Sequence, residues 1–184
     1  MSIVVITGGV RSGKSRIAEE LAHELVLEPS TGKVLYVATG KAWDSEMAHR
    51  IQLHQIRRPA DWGLLEISNH LEEMFVSSPA YEVVLVDCLS NWISNRLIQI
   101  PEEKMYDQEI QQQILLSIQQ WVQAMNEDKR TYLVVTNEVG LGGVALSSLG
   151  RWYADLLGEA NQLLASQAES VYVVFCGIPR RIKG

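Results

Sequence analysis

Three groups of residues in this sequence have the types and spacing for phosphate chemistry. Gly8-Gly9-Val10-Arg11-Ser12-Gly13-Lys14-Ser15 fits the pattern GxxxxGK[ST]. Glycines there let the backbone curl so that successive N–H groups and the start of a following helix face a phosphate. Lys14 adds a mobile cation and Ser15 a hydroxyl suited to Mg2+. Asp87 closes the apolar run Val83 to Val86. A carboxylate at that place completes a Mg2+ shell with Ser15, or caps a helix beginning near Leu89, and the two roles are compatible. The third group is the segment Trp43 to Pro59, where His49 and His54 stand among Arg50, Arg57 and Arg58 in a chain that is acidic as a whole.

In that segment Asp44 or Ser45 can cap a helix, Met47 and Ile51 give it an apolar side, and Pro59 forces its end. Glu46, Arg50, His54 and Arg57 or Arg58 then share one face. His49 lies about 140° around the helix from His54, which argues against a metal site built from both imidazoles. Two readings stay open on spacing alone. The face is a solvated one with charge pairs such as Glu46–Arg50, or it is an anion site where arginines neutralise a phosphate and a neutral imidazole attacks phosphorus. Glu138, in the run Thr136-Asn137-Glu138-Val139, likewise can orient a nucleophile or simply solvate a loop. The guanine-reading Asn-Lys-x-Asp of signalling GTPases does not occur in that run, so a switch GTPase is disfavoured.

The elements that must position these groups are legible as runs. Continuous apolar stretches occur at 3–6, 34–37, 83–86, 132–135 and 171–175. Lack of alternation marks strands covered on both faces, as in a mainly parallel sheet flanked by helices. Helical patterns fall at about 14–27, 44–57, 66–77, 104–126 and 147–168. The fold class is therefore α/β, of the P-loop NTPase type, with residues 1–184 as a single nucleotide-binding catalytic domain. Ligands in such sheets bind beyond the carboxyl ends of the strands. Here those ends are Thr7-Gly8, Ala38-Thr39-Gly40, Asp87-Cys88, Thr136 to Glu138, and Gly177.

Composition narrows the partners. The 184 residues carry 47% hydrophobic content and a net charge of −6, with a pI near 5.2. One sizeable core is within reach, and broad nucleic-acid or anionic-lipid binding is disfavoured because both need a basic face. No apolar run reaches the ~20 residues that span a bilayer, and the chain enters a strand pattern without a signal peptide. Cys88 and Cys176 each end an apolar run, which reads as two buried free thiols and a cytoplasmic location.

Several blocks together resemble one family. They are Gly8 to Ser15, Tyr36 to Thr39, Arg50-Ile51 with His54, Arg58-Pro59 and Trp62, then Glu66, Thr136 to Gly140, and Leu149 to Gln162 with Arg151, Asp155, Gly158 and Asn161. In these the chain is similar nearly end to end to the bifunctional adenosylcobinamide kinase/adenosylcobinamide-phosphate guanylyltransferase of cobalamin biosynthesis. The resemblance implies that His54 takes GMP from GTP and releases pyrophosphate. It also implies that Lys14 serves catalysis and that Ser15 and Asp87 hold Mg2+. Contacts to GTP would come from Gly8, Gly9, Val10, Arg11, Ser12, Gly13, Lys14 and Ser15 of the loop. Further contacts would come from Ala38, Thr39 and Gly40, from Gln55, Ile56, Arg57 and Arg58, and from Glu66 and Asp87.

Two activities follow from the resemblance: phosphorylation of adenosylcobinamide by ATP or GTP, then transfer of GMP to the new phosphate. The position before His54 is Leu53, where some relatives have a second histidine, so one imidazole suffices. The family's ring-like homo-oligomers, a trimer among them, would suit exposure of Trp121 or Leu115-Leu116 on a long helix, although that stripe can equally pack within the chain. The competing readings are a plain P-loop small-molecule kinase without a covalent nucleotide, and a non-catalytic nucleotide-binding module.

Overall fold

A computed structural model of the protein describes residues 2–26, 34–41, 59–76 and 81–184. Among these, seven strands form one sheet: β1 (Ser2–Gly8), β2 (Val34–Ala38), β3 (Gly63–Glu66), β4 (Val83–Asp87), β5 (Thr131–Val135), β6 (Ser170–Phe175) and β7 (Ile178–Lys183). The spatial order is β3-β2-β4-β5-β1-β6-β7. The first six strands are parallel, and β7 returns antiparallel to β6. The helices are α1 (Lys14–Leu25), α2 (Glu73–Val76), α3 (Leu89–Ile98), α4 (Gln108–Glu127) and α5 (Ser148–Gln167).

The continuous apolar runs are explained by what covers them. Alternate residues of a strand face opposite ways, and both faces of this sheet are buried. One face sets Ile6, Tyr36, Leu85 and Leu133 against Ile17, Ala18 and Ala22 of α1. The other sets Val5, Val37, Val86 and Val134 against Trp92 of α3, Ile118 and Trp121 of α4, and Trp152 and Leu156 of α5. Helix ends follow local chemistry. The Asp107 side chain accepts from the amides of Glu109 and Ile110 to start α4, and Ser147 accepts from Gly150 to start α5.

Several expectations are corrected. The two strands beyond the expected five are both edge strands. β3 alternates in burial, and β7 is exposed throughout, with Pro179, Arg180, Arg181 and Lys183 along it. Charge and proline suit an edge that must not pair further, and they erase the apolar signal. The helix expected over 66–77 shrinks to Glu73–Val76, because the backbone before it is engaged elsewhere. Ile67 N–H donates to Ala38 O at 2.9 Å, Trp92 Nε1 donates to Asn69 O at 2.9 Å, and Asn95 Nδ2 donates to Ser68 O at 3.2 Å. The helix expected to begin near Leu89 is α3, with Leu89, Trp92, Ile93 and Leu97 buried, but the residue capping it is Cys88, without a side-chain hydrogen bond, and not Asp87.

Cys88 is a buried free thiol, whereas Cys176 is exposed. Strand β6 ends at Phe175 and the chain reverses at once, with Cys176 at φ 52°. Trp121 is buried inside the fold, its Nε1 donating to Met74 Sδ at 3.4 Å, while Leu116 is 52% exposed. The expected helix at 44–57 lies outside the described residues.

Candidate nucleotide site

Strand β1 delivers the chain into the phosphate loop, and α1 leaves it. Gly13 takes φ 97°, a left-handed turn that L side chains resist, and a Cβ there would come within 3.2 Å of Gly177 Cα. As the residue capping α1, Gly13 offers no side-chain hydrogen bond. The first amides of the helix are thus left to an anion, with the helix dipole aligned to favour it. Within the loop, Ser12 N–H donates to Gly9 O at 3.3 Å. Lys14 Nζ folds back onto Gly9 O at 2.6 Å. The crest residues Val10 and Arg11 are exposed.

Lys14 is only 7% exposed. Its pKa is lowered from the ordinary 10.5, mainly by desolvation, against the pull of Cys88 and Asp87 in the other direction. That coupling puts the ammonium within the field of the β4 terminus. Two hydroxyls at the loop, Thr7 Oγ1 and Ser12 Oγ, are buried without a hydrogen-bond partner among the described residues. Buried polar atoms are nearly always satisfied, so a phosphate or its hydration would complete this loop.

Sheet register sets the remaining candidates in a row. Glu66 of β3 pairs with Ala38 of β2, and Ala38 pairs with Asp87 of β4. Asp87 then pairs with Val135 of β5, and Val135 with Ile6 of β1. Adjacent strands are about 4.8 Å apart, so Asp87 stands about 10 Å across the sheet from β1 with β5 between them. Glu66 is exposed at one end of that row. Tyr36 Oη donates to Asp87 Oδ2 at 2.8 Å. Burial first, then Asp87, pushes the Tyr36 phenol far above its ordinary value, so it stays a donor.

Thr39 is turned inward. Its Oγ1 donates to Cys88 O at 2.6 Å and accepts from Cys88 N–H at 2.8 Å. Its N–H donates to Asp87 O at 3.1 Å, and its carbonyl accepts from Asn95 Nδ2 at 2.7 Å. The residue therefore ties the end of β2 to the turn after β4 and holds Asp87 in place, while Gly40 beside it is partly exposed. Burial and Asp87 push the neighbouring Cys88 thiol up to about 12. His54, Gln55, Ile56, Arg57 and Arg58 lie outside the described residues.

The contacts made by Tyr36 and Gly177 could not be read from their place in a strand run and at a strand end. Tyr36 reads as one more core residue of an apolar run, and only the β2–β4 pairing reveals its hydroxyl at Asp87. Gly177 N–H donates to Ser12 O at 2.8 Å, joining the last hairpin to the phosphate loop across the chain's full length. As to the metal, no group of three or more His, Cys, Asp or Glu that could hold an ion occurs among the described residues. A hydroxyl at Ser15 and a carboxylate at Asp87 are hard oxygen donors that fit Mg2+, which takes few protein ligands and shares the substrate's phosphates.

Known proteins are similar to this chain over nearly its whole length. A family model described as CobU, cobinamide kinase / cobinamide phosphate guanyltransferase, matches residues 4–182. The chain is 38% identical over 186 residues to the "Bifunctional adenosylcobalamin biosynthesis protein CobU" of Escherichia coli (strain K12), covering 98% of this chain and 99% of that one. It is 38% identical over 181 residues to the "Bifunctional adenosylcobalamin biosynthesis protein CobP" of Pseudomonas aeruginosa, covering 98% and 96%. Among solved structures, flagellar accessory protein FlaH from Methanocaldococcus jannaschii shares the fold, with a TM-score of 0.52 at 14% identity over 99% of this chain and 78% of that one.

Proposed function

The chain belongs to the cobinamide kinase / cobinamide phosphate guanyltransferase family, and on that premise we propose how its residues divide the two transfers. The observation that carries the reading is the phosphate loop itself, with Lys14 poised on Gly9 O and two buried hydroxyls awaiting partners beside it. In the kinase step the loop amides and Lys14 hold the triphosphate of ATP or GTP. Lys14 neutralises charge as the γ-phosphoryl group passes to the aminopropanol hydroxyl of adenosylcobinamide. Ser15 and Asp87 would hold Mg2+, which when bound would supply positive charge to offset that of the phosphates. Tyr36 and Thr39 keep the Asp87 carboxylate in place.

In the second step a ring nitrogen of His54 attacks the α-phosphorus of GTP. The bond from that phosphorus to pyrophosphate breaks, and a phosphoramidate remains on the enzyme. A phosphate oxygen of adenosylcobinamide phosphate then attacks the same phosphorus, forming adenosylcobinamide-GDP and freeing the imidazole. Splitting one nucleotidyl transfer into two displacements lets a well-placed nucleophile serve both. Arg57 and Arg58, with Gln55 and Ile56 of the same segment, are assigned to the nucleotide phosphates, and Ala38, Gly40 and Glu66 to the nucleotide at the row of strand ends. Residues 1–184 act as one catalytic domain, as a ring-like homo-oligomer such as a trimer, in the cytoplasm. The free buried thiol of Cys88 supports that location, and among the described residues no helix is long and apolar enough to cross a membrane.

Intact-protein mass after incubation with GTP and Mg2+, for wild type and His54→Ala, tests the reading. The expected result is a GMP-sized, acid-labile and base-stable adduct on wild type alone. No adduct on either protein would remove the covalent step and leave a plain P-loop kinase.

A further inference from the structure

Glu138 has no part in the transfers as described so far, yet the fold brings it to their centre. Three positions beyond the end of β5, its N–H donates to Gly8 O at 3.0 Å. Strand β5 lies between β1, which leads to Lys14 and Ser15, and β4, which ends in Asp87. A residue leaving the carboxyl end of β5 therefore stands between the cation and the carboxylate that flank a bound triphosphate.

The position is fixed from both sides. Thr136 N–H donates to Ile6 O at 3.0 Å. Thr136 Oγ1 donates to Asn161 Oδ1 at 2.7 Å, and Asn161 Nδ2 of α5 donates to Asn137 O at 2.9 Å. The side chain is oriented as well: Oε1 of Glu138 accepts from Gly140 N–H at 3.0 Å. This is its one hydrogen bond through the carboxylate among the described residues. Glu138 is neither buried nor fully exposed.

Two steps of the proposed function differ in what they need from such a group. The guanylyl acceptor is a phosphate monoester, whose second pKa near 6 leaves it anionic at neutral pH. The kinase acceptor is an alcohol, which must lose its proton as its oxygen bonds to phosphorus. We propose that Glu138 is the general base of the kinase half. Its carboxylate takes the hydroxyl proton of the acceptor as that oxygen bonds to the γ-phosphorus and the bond from the γ-phosphorus to the β–γ bridging oxygen breaks. The nucleoside diphosphate leaves with the electron pair, and the Glu138 carboxylic acid returns its proton to solvent. This inference rests on the kinase half of the reading above.

The test compares Glu138→Gln and Glu138→Asp with wild type in the full-length protein. Phosphorylation of adenosylcobinamide by ATP is followed across pH, and affinity for a non-hydrolysable ATP analogue is measured separately. For Glu138→Gln, kcat falls by about a hundredfold or more and the acidic limb of its pH profile disappears. The analogue binds as it does to wild type. Glu138→Asp keeps the limb with an intermediate kcat. A kcat for Glu138→Gln within about threefold of wild type would overturn the inference, since a general base contributes more than that. So would a loss of analogue affinity in step with kcat, which marks a residue that only shapes the loop. Wild type that binds the analogue but phosphorylates nothing would remove the kinase reading, and this inference with it.

Discussion

Gly177, in the turn between the last two strands, donates its amide proton to Ser12 O at 2.8 Å and accepts from Arg16 Nη2 at 3.2 Å. The phosphate loop is thereby clamped from outside by a hairpin that arrives 165 residues later in the chain. Gly177 adopts φ 79°, and a Cβ would come within 3.2 Å of Arg16 Nη2. Gly177→Ala therefore strains the turn by about 1–2 kcal/mol and is passed on to the loop. The expected outcome is weaker binding of a fluorescent GTP analogue together with a lower Tm. Unchanged affinity would mean that the hairpin and the loop move independently.

The phenol of Tyr36 fixes one oxygen of Asp87 at 2.8 Å. Tyr36→Phe keeps the packing and removes that hydrogen bond. Partners that orient a metal-binding carboxylate matter at the level of about tenfold in metal affinity. A titration of kinase activity with Mg2+ is expected to show half-saturation at a higher concentration, with ATP affinity in excess Mg2+ little altered. An unshifted Mg2+ curve would remove Asp87 from the metal shell.

Thr39 joins two strand ends through a hydroxyl that both donates and accepts. Thr39→Val orphans the buried amide of Cys88, a loss of about 1–3 kcal/mol. Thr39→Ser, which retains the hydroxyl, is expected to recover most of that in urea unfolding. A Thr39→Ser protein as unstable as Thr39→Val would show that the hydroxyl is not what holds the two strand ends together.

Lys14 gives two opposite pH effects. Its pKa in the folded protein lies below the ordinary 10.5, because burial disfavours the ammonium. Between those two values the unfolded chain binds more protons than the folded one, so this residue makes stability rise with pH across that alkaline window. Nucleotide binding needs the ammonium and weakens over the same window. In Lys14→Met both trends vanish, and affinity is low at every pH. A Lys14→Met protein that keeps the wild-type pH dependence of stability would assign it to another group.

The two cysteines differ in reactivity. Cys176 is exposed, while Cys88 is buried with its thiol pushed up to about 12. Thiolate is the reacting form, so a thiol reagent at pH 8 is expected to modify one cysteine per chain in the native state and two in denaturant. Rapid reaction of both in the native protein would contradict the packing around Cys88.

The sequence by itself determined the α/β class, the five central strands and the phosphate loop. Each of these is a local pattern, where a continuous apolar run reports burial on both faces and a glycine-rich turn before a helix reports an anion site. It also carried the family blocks that point to the cobinamide chemistry. What lay beyond it were the edge strands and how far helix α3 runs past its start near Leu89, because β7 trades apolar residues for charge and α3 buries polar ones. Ser90 and Asn95 look like surface residues until Cys88, Thr39 and Ser68 are brought against them. The same limit applied to Trp121, whose exposure or burial depends on Met74 arriving from another element. Only the tertiary structure decided that β5 separates the loop from Asp87, that Tyr36 holds that carboxylate and that Gly177 braces Ser12. Those relations join residues far apart in the chain through strand order, which no local periodicity encodes.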